Sequence, residues 1–226
     1  MVELSKDEIG ARIAKNIAAL VDELAGEDTF VLNLGVGIPT QVADYVTNEN
    51  VFIQAENGMI GVGPLAKEGE AHPQLINAGR QPVTETKGCS YMDSSMSFGM
   101  IRGGYVDATV LGAFEVDRQG DIANWIIPNG KQLGVGGAMD LVAGANRVIV
   151  AMTHTSKGKP KLVEKCALPV TGVNEVDYVV TECCMMRREK GRFVLFALAE
   201  EMTLEELRSI TGIDFDVASD CRPMLR

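Results

Sequence analysis

Thr29-Phe30-Val31-Leu32-Asn33-Leu34-Gly35-Val36-Gly37-Ile38-Pro39-Thr40 opens on a short apolar run and closes on a glycine turn. Thr29 to Leu34 has the length and β-branched content of a buried strand, Gly35 and Gly37 punctuate it, and apolar positions then recur through Val42 and Tyr45. Strand, glycine turn and helix in that order make an α/β unit. Upstream, Ser5-Lys6-Asp7-Glu8 has the form of a capping box. Ile9, Ile13, Ile17, Leu20 and Leu24 follow at spacings of three and four, which predicts an amphipathic helix stopped by Gly26.

Downstream, Val51 to Ala55 predicts a second strand running straight into Glu56-Asn57-Gly58-Met59-Ile60-Gly61-Val62-Gly63-Pro64. Three glycines and no helical period read there as a turn-forming loop. Further strands are expected over Tyr105 to Leu111, Arg147 to Met152, Val176 to Val180 and Phe193 to Leu198, with a hairpin between Phe114 and Trp125 turning at Gly120. Gly134-Val135-Gly136-Gly137 leads into a short helical piece from Ala138, and Thr203-Leu204-Glu205-Glu206 is a second capping box for a helix ending by Gly212. With no repeat or linker, residues 1–226 are expected to form one domain, a mixed sheet flanked by helices.

Composition excludes several classes. Apolar residues at 46% and charged residues at 23% fit a globule rather than a disordered chain. Against 31 Asp and Glu stand 21 Lys and Arg, a formal charge of −10 that repels nucleic acid and anionic membranes. No apolar run reaches the roughly 20 residues of a membrane span, and Met1 to Glu8 has neither the apolar core of a signal peptide nor the acid-poor character of a transit peptide. A cytoplasmic location is expected. Five cysteines without C-x-x-C spacing and only two histidines, His72 and His154, indicate neither a disulfide framework nor a metal site. Glycine, at 24 residues, exceeds the usual share of about 7%, and its clusters imply backbone approached closely.

Two segments carry candidate chemistry. Gly35 and Gly37 match a dinucleotide fingerprint poorly, because Thr40 stands at the third glycine position and Pro39 lies inside the motif. They read either as a structural turn or as backbone lining a ligand site, with Asn33 able to point its amide into the same space. Glu56 ends a strand and is followed at once by Asn-Gly, which turns the chain and leaves a carboxylate on rigid support. A loop glutamate is by itself usually a solvated charge.

The run Glu56-Asn57-Gly58-x-x-Gly61-x-Gly63-Pro64 resembles the Ser-Glu-Asn-Gly signature of class I CoA-transferases, in which the Glu is the covalent nucleophile. The resemblance continues in order through Asn33 to Thr40, Ile101-Arg102-Gly103-Gly104, Ala123-Asn124-Trp125 and Gly136 to Leu141, covering about residues 10 to 180. Together these resemble the beta subunit of acetoacetate, acetate/butyrate or succinyl-CoA:3-oxoacid transferases. Ala55 replaces the signature serine, Tyr105 stands where a His commonly follows Arg-Gly-Gly, and Pro128-Asn129-Gly130-Lys131 carries an extra residue. These departures bear on substrate preference.

The resemblance implies a NagB/RpiA/CoA-transferase fold with a mainly parallel sheet, and a separate alpha subunit in a larger alpha/beta heteromer that supplies part of the acyl pocket. It implies coenzyme A as substrate and transient adduct, with no permanently bound cofactor. Glu56 would take an acyl group from a thioester as a mixed anhydride, and the CoA thiolate would return to the glutamyl carbonyl. An acceptor such as acetoacetate, acetate, butyrate or succinate would then reverse the steps, giving ping-pong kinetics. Gly136 and Gly137 could aim N–H groups at developing negative charge, or could simply form a close-packed turn. Asn33, Gly35, Gly37, Asn57, Gly58, Gly61 and Gly63 are the expected substrate- and CoA-binding positions. Candidate cations are Arg102, Lys131 and the Lys157-Gly158-Lys159-Pro160-Lys161 run, the last read as a solvated loop. His154 reads as structural, and Cys183-Cys184-Met185-Met186 as core. The rival readings are a transferase for another acid such as 3-oxoadipate, a non-catalytic CoA-binding subunit, or a sugar-phosphate isomerase relative.

Overall fold

The computed structural model describes residues 4–130 and 134–226. The first helix, α1 (Lys6–Ala25), starts as its sequence predicts: the Ser5 side chain accepts from the Glu8 backbone, and Glu8 bonds back to the Ser5 N–H at 2.8 Å. Its apolar stripe, including Ile13, Ile17, Leu20 and Val21, is buried in the main core. Gly26 ends it at φ 54°, a left-handed conformation that costs glycine little.

Ten strands form one sheet. From one edge the order is Asp216–Pro223, Arg192–Leu198, Cys184–Glu189, Tyr178–Val180 and Val148–Ala151, then β5 (Ala108–Leu111), β1 (Phe30–Leu34), β2 (Val51–Ala55), β3 (Met59–Leu65) and β4 (Val83–Tyr91). Five adjacent strands from Tyr178–Val180 to β2 run parallel. Antiparallel pairs flank them on both sides. Buried on both faces, the parallel centre is made of apolar runs such as Val148 to Ala151. β1 has β2 on one side and β5 on the other, so successive connections leave it in opposite directions. Such a switch opens a crevice beyond the carboxyl ends of the strands.

Three readings change. The segment after β1 is a 3-10 helix, Ile38–Asp44, rather than a longer α-helix, with Pro39 in its first turn. The stretch read as a loop after Glu56 turns only at Glu56 to Gly58 and then forms β3. Its glycines serve strand packing: a methyl group on Gly61 would lie 2.9 Å from Cys89 Cα, and one on Gly58 would lie 2.2 Å from the Met92 carbonyl oxygen. The 114–125 hairpin does turn at Gly120 (φ 83°), but its strands Glu115–Asp117 and Ile122–Ala123 join Leu162–Val163 in a separate small sheet. α2 (Ser94–Arg102), capped by the Asp93 carboxylate, packs against α3 (Ala138–Gly144) beside β5. No helix among the described residues is long and apolar enough to cross a membrane.

Candidate active site

Glu56 lies at the carboxyl end of β2, half-buried, where the chain reverses into β3. Alternation along β2 decides what faces it. Ala55 turns into a small apolar cluster with Met59, Val62 and Val83. Gln54 points the opposite way, towards α2, and its Nε2 donates to Ser97 Oγ at 2.9 Å. On that side Asn33 Nδ2 donates to Gln54 Oε1 at 2.7 Å and reaches Glu56 Oε2 at 3.3 Å, while Thr109 Oγ1 donates to Asn33 Oδ1 at 3.1 Å. Polar groups taken from water require such partners.

The second oxygen of Glu56 faces the turn before α3. A methyl group on Gly137 would lie 3.4 Å from Glu56 Oε1 and 3.2 Å from the Phe98 ring, so glycine keeps open the space between carboxylate and backbone. The N–H groups of Gly136 and Gly137 have no acceptor among the described residues. Gly136 has φ 53°. Arg102, reaching from α2 to α3, pairs with Asp140 at 2.7 Å while its side chain stays 65% exposed.

Asn33, Glu56 and Gly137 thus converge, and the other predicted positions surround them at varying distance. Gly35 spends its N–H on the Val110 carbonyl at 2.9 Å, which holds the end of β1 against β5. Gly37 is exposed at φ 95°. Asn57 is exposed, and its amide donates to the Ile76 carbonyl at 2.9 Å. Gly58 and Gly61 pack against the β4 side of the hairpin, as does Gly63, where a methyl group would lie 2.6 Å from Thr84 Oγ1. Gly37 and Gly63 also line a cleft of about 340 Å³ that includes Val36, Ile53, Gln54 and Leu65. Lys131 lies outside the described residues. Tyr105 sits at the amino end of β5, away from the carboxyl ends that carry Glu56, and is 68% exposed.

Sequence reasoning missed Gln54, Ser97 and Thr109. An isolated buried Gln in an apolar strand is a signal in principle, but Ser97 and Thr109 are ordinary until folding brings them together.

His154 is buried with its ring nitrogens on Thr181 Oγ1 at 3.1 Å and Thr211 Oγ1 at 2.9 Å. Burial, aided by the nearby Lys161 charge, pushes it down to about 4 from 6.5. Lys157 and Lys159 are exposed as expected of a solvated run, but Lys161 is not: burial pushes its amine down to about 8, with Glu182 opposing the shift. Because the fold favours neutral His154, its contribution is fully present above pH 6.5 and is lost as pH falls towards 4. Urea unfolding across this range should show a loss of about 3 kcal/mol from this group. His154→Gln should flatten that part of the acid limb.

A model of the coenzyme A transferase family matches residues 15–207. The chain is 43% identical, over 97% of its length and 95% of the relative's, to the acetate CoA-transferase subunit beta of Haemophilus influenzae. It is 40% identical to the mitochondrial succinyl-CoA:3-ketoacid coenzyme A transferase 2A of Rattus norvegicus, covering 97% of this chain but only 42% of that one. In fold it is similar to an acyl-CoA transferase apoenzyme from Escherichia coli O157:H7, with a TM-score of 0.73 at 18% identity over 100% of this chain and 44% of that chain. The chain belongs to the coenzyme A transferase family.

Proposed function

We propose that this chain is the glutamate-bearing subunit of a CoA-transferase that moves coenzyme A between an acyl-CoA and a short-chain carboxylate, with Glu56 as the covalent nucleophile. The carrying observation is the setting of its carboxylate: Asn33 bonds one oxygen, and the other faces the open backbone at Gly137. That second oxygen attacks the thioester carbonyl and expels the CoA thiolate, forming an acyl-glutamyl anhydride. The thiolate then attacks the glutamyl carbonyl, releases the donor acid as its carboxylate and leaves a glutamyl-CoA thioester. An acceptor carboxylate attacks the thioester and the same two steps run backwards.

The N–H groups of Gly136 and Gly137 supply hydrogen bonds to the oxyanion formed on the substrate. A donor of this kind typically contributes about 3 kcal/mol to barrier lowering. Asn57, Gly58, Gly61 and Gly63 shape the hairpin that presents Glu56, while Gly35 and Gly37 shape the adjoining crevice for CoA. The relatives' names point to acetate, succinate and 3-oxo acids as the acid substrates. An alpha subunit completes the acyl pocket. The test is CoA exchange by the assembled pair, together with capture of the glutamyl thioester.

The departure at Ala55 has a defined consequence. Its side chain faces Met59, Val62 and Val83 rather than the carboxylate. Ala55→Ser should therefore lower stability by about 1 kcal/mol, the typical cost of a buried hydroxyl lacking a good partner. It should change kcat by no more than a few-fold. Chemical denaturation and steady-state kinetics check the two parts, and loss of the covalent intermediate would show that position 55 faces the reaction.

A further inference from the structure

Thr109, Asn33, Gln54 and Ser97 are 0, 0, 1 and 0% exposed, yet all four are polar. They come from β5, β1, β2 and α2 and form one unbroken hydrogen-bonded chain with a branch ending on Glu56. Its direction is determined. A carboxylate only accepts hydrogen bonds, so Asn33 must turn its NH2 towards Glu56. Asn33 Oδ1 then faces Thr109, whose hydroxyl must donate. The remaining Asn33 N–H meets Gln54 Oε1, which turns Gln54 Nε2 to Ser97. Reversing Asn33 would set its oxygen against those of Glu56 and Gln54, and reversing Gln54 would set its NH2 against that of Asn33, both costly arrangements for buried polar groups.

We infer that Gln54 and Thr109 are positioning residues, which set the orientation of the Asn33 carboxamide so that Glu56 Oε2 is held and Oε1 is left to attack. Both side chains are buried, at 1% and 0% exposed, and act through Asn33. Gln54 accepts from Asn33 on one side and is anchored by Ser97 on the other, while Thr109 donates to Asn33 Oδ1 from behind and satisfies it in that orientation. This inference rests on Glu56 being the nucleophile. It also accounts for a feature the core does not need, since valine in place of Thr109 would fill similar volume without requiring a partner.

Kinetics of the assembled two-subunit enzyme test it. Thr109→Val removes the donor at nearly constant shape, and kcat should fall about 10- to 100-fold, the scale set by a misplaced reacting group. KM for acyl-CoA should stay within about twofold, because CoA contacts are untouched. Thr109→Ser returns the hydroxyl and should restore kcat to within a few-fold of wild type. Ser97→Ala, which frees Gln54, should lower kcat in the same sense and serves where Thr109→Val does not fold. Glu56→Gln is measured in parallel. If it is inactive while the folded Thr109 or Ser97 variant keeps wild-type kcat, the positioning role is wrong and the nucleophile stands. If Glu56→Gln is active, the nucleophile reading falls and the inference with it. A change confined to KM, or a loss of kcat that tracks loss of thermal stability and is not rescued by Thr109→Ser, would assign these residues to packing alone.

Discussion

Acyl-CoA given to the assembled enzyme without an acceptor acid should leave coenzyme A covalently attached to Glu56, because the first half-reaction needs nothing further. Borohydride reduces a thioester to an alcohol and spares a free carboxylate. Treatment should therefore inactivate the enzyme only after exposure to acyl-CoA, and peptide mass mapping should place the new alcohol at position 56. Glu56→Gln keeps the size of the side chain and can still accept from Asn33, so the surrounding fold should survive. Its turnover should drop by roughly four orders of magnitude or more, the scale of removing a nucleophile on which every step depends. Modification of another carboxylate, or CoA exchange by Glu56→Gln at the normal rate, would remove Glu56 from this role.

How Glu56 is held shows where sequence stops being informative. Its place at the end of β2 was legible, because Val51 to Ala55 is an apolar run closed by a turn pair. α1 and the Thr203 helix were legible from their capping boxes, which are local hydrogen-bond arrangements written in four residues. β3 was not, because its glycines carry the signal of a turn while their actual cause lies across the hairpin in Thr84 and Cys89. β4 is an edge strand with little buried surface beyond Val83, so its residues show no apolar alternation. The site residues divide in the same way. Glu56 and Asn33 stand beside turn signals, whereas Ser97 and Thr109 acquire meaning only through partners 43 and 76 positions away. Gly137 was reachable through the family resemblance alone, since no local pattern ties it to a carboxylate so distant in the chain.

The chain purified by itself should show less than about 1% of the transferase activity it gains on mixing with its alpha partner, for a reason visible around Glu56. Val36, between the two glycines after β1, is 66% exposed; Met96, in the first turn of α2, is 61% exposed; Met139, two residues beyond Gly137, is 42% exposed. Val36 lines the cleft beside β2, and Met96 and Met139 stand on α2 and α3, the helices that carry Ser97 and follow Gly137, so large exposed apolar side chains on these elements suit a surface that a second chain covers. The similar rat chain extends well beyond the 42% that this chain matches, and the Haemophilus relative is named as a subunit. A second chain seated on this face would exclude water from Glu56, which strengthens the hydrogen bonds and charge interactions of the reaction. Activity should saturate at one partner per chain. Met96→Asp should weaken association by tenfold or more, corresponding to about 1.4 kcal/mol, and activity should recover at excess partner because Met96 lies outside the hydrogen-bonded chain that holds Glu56. Full turnover by the isolated chain would overturn the divided site. An unchanged affinity of Met96→Asp would instead move the docking surface off α2 while leaving the division of the site intact.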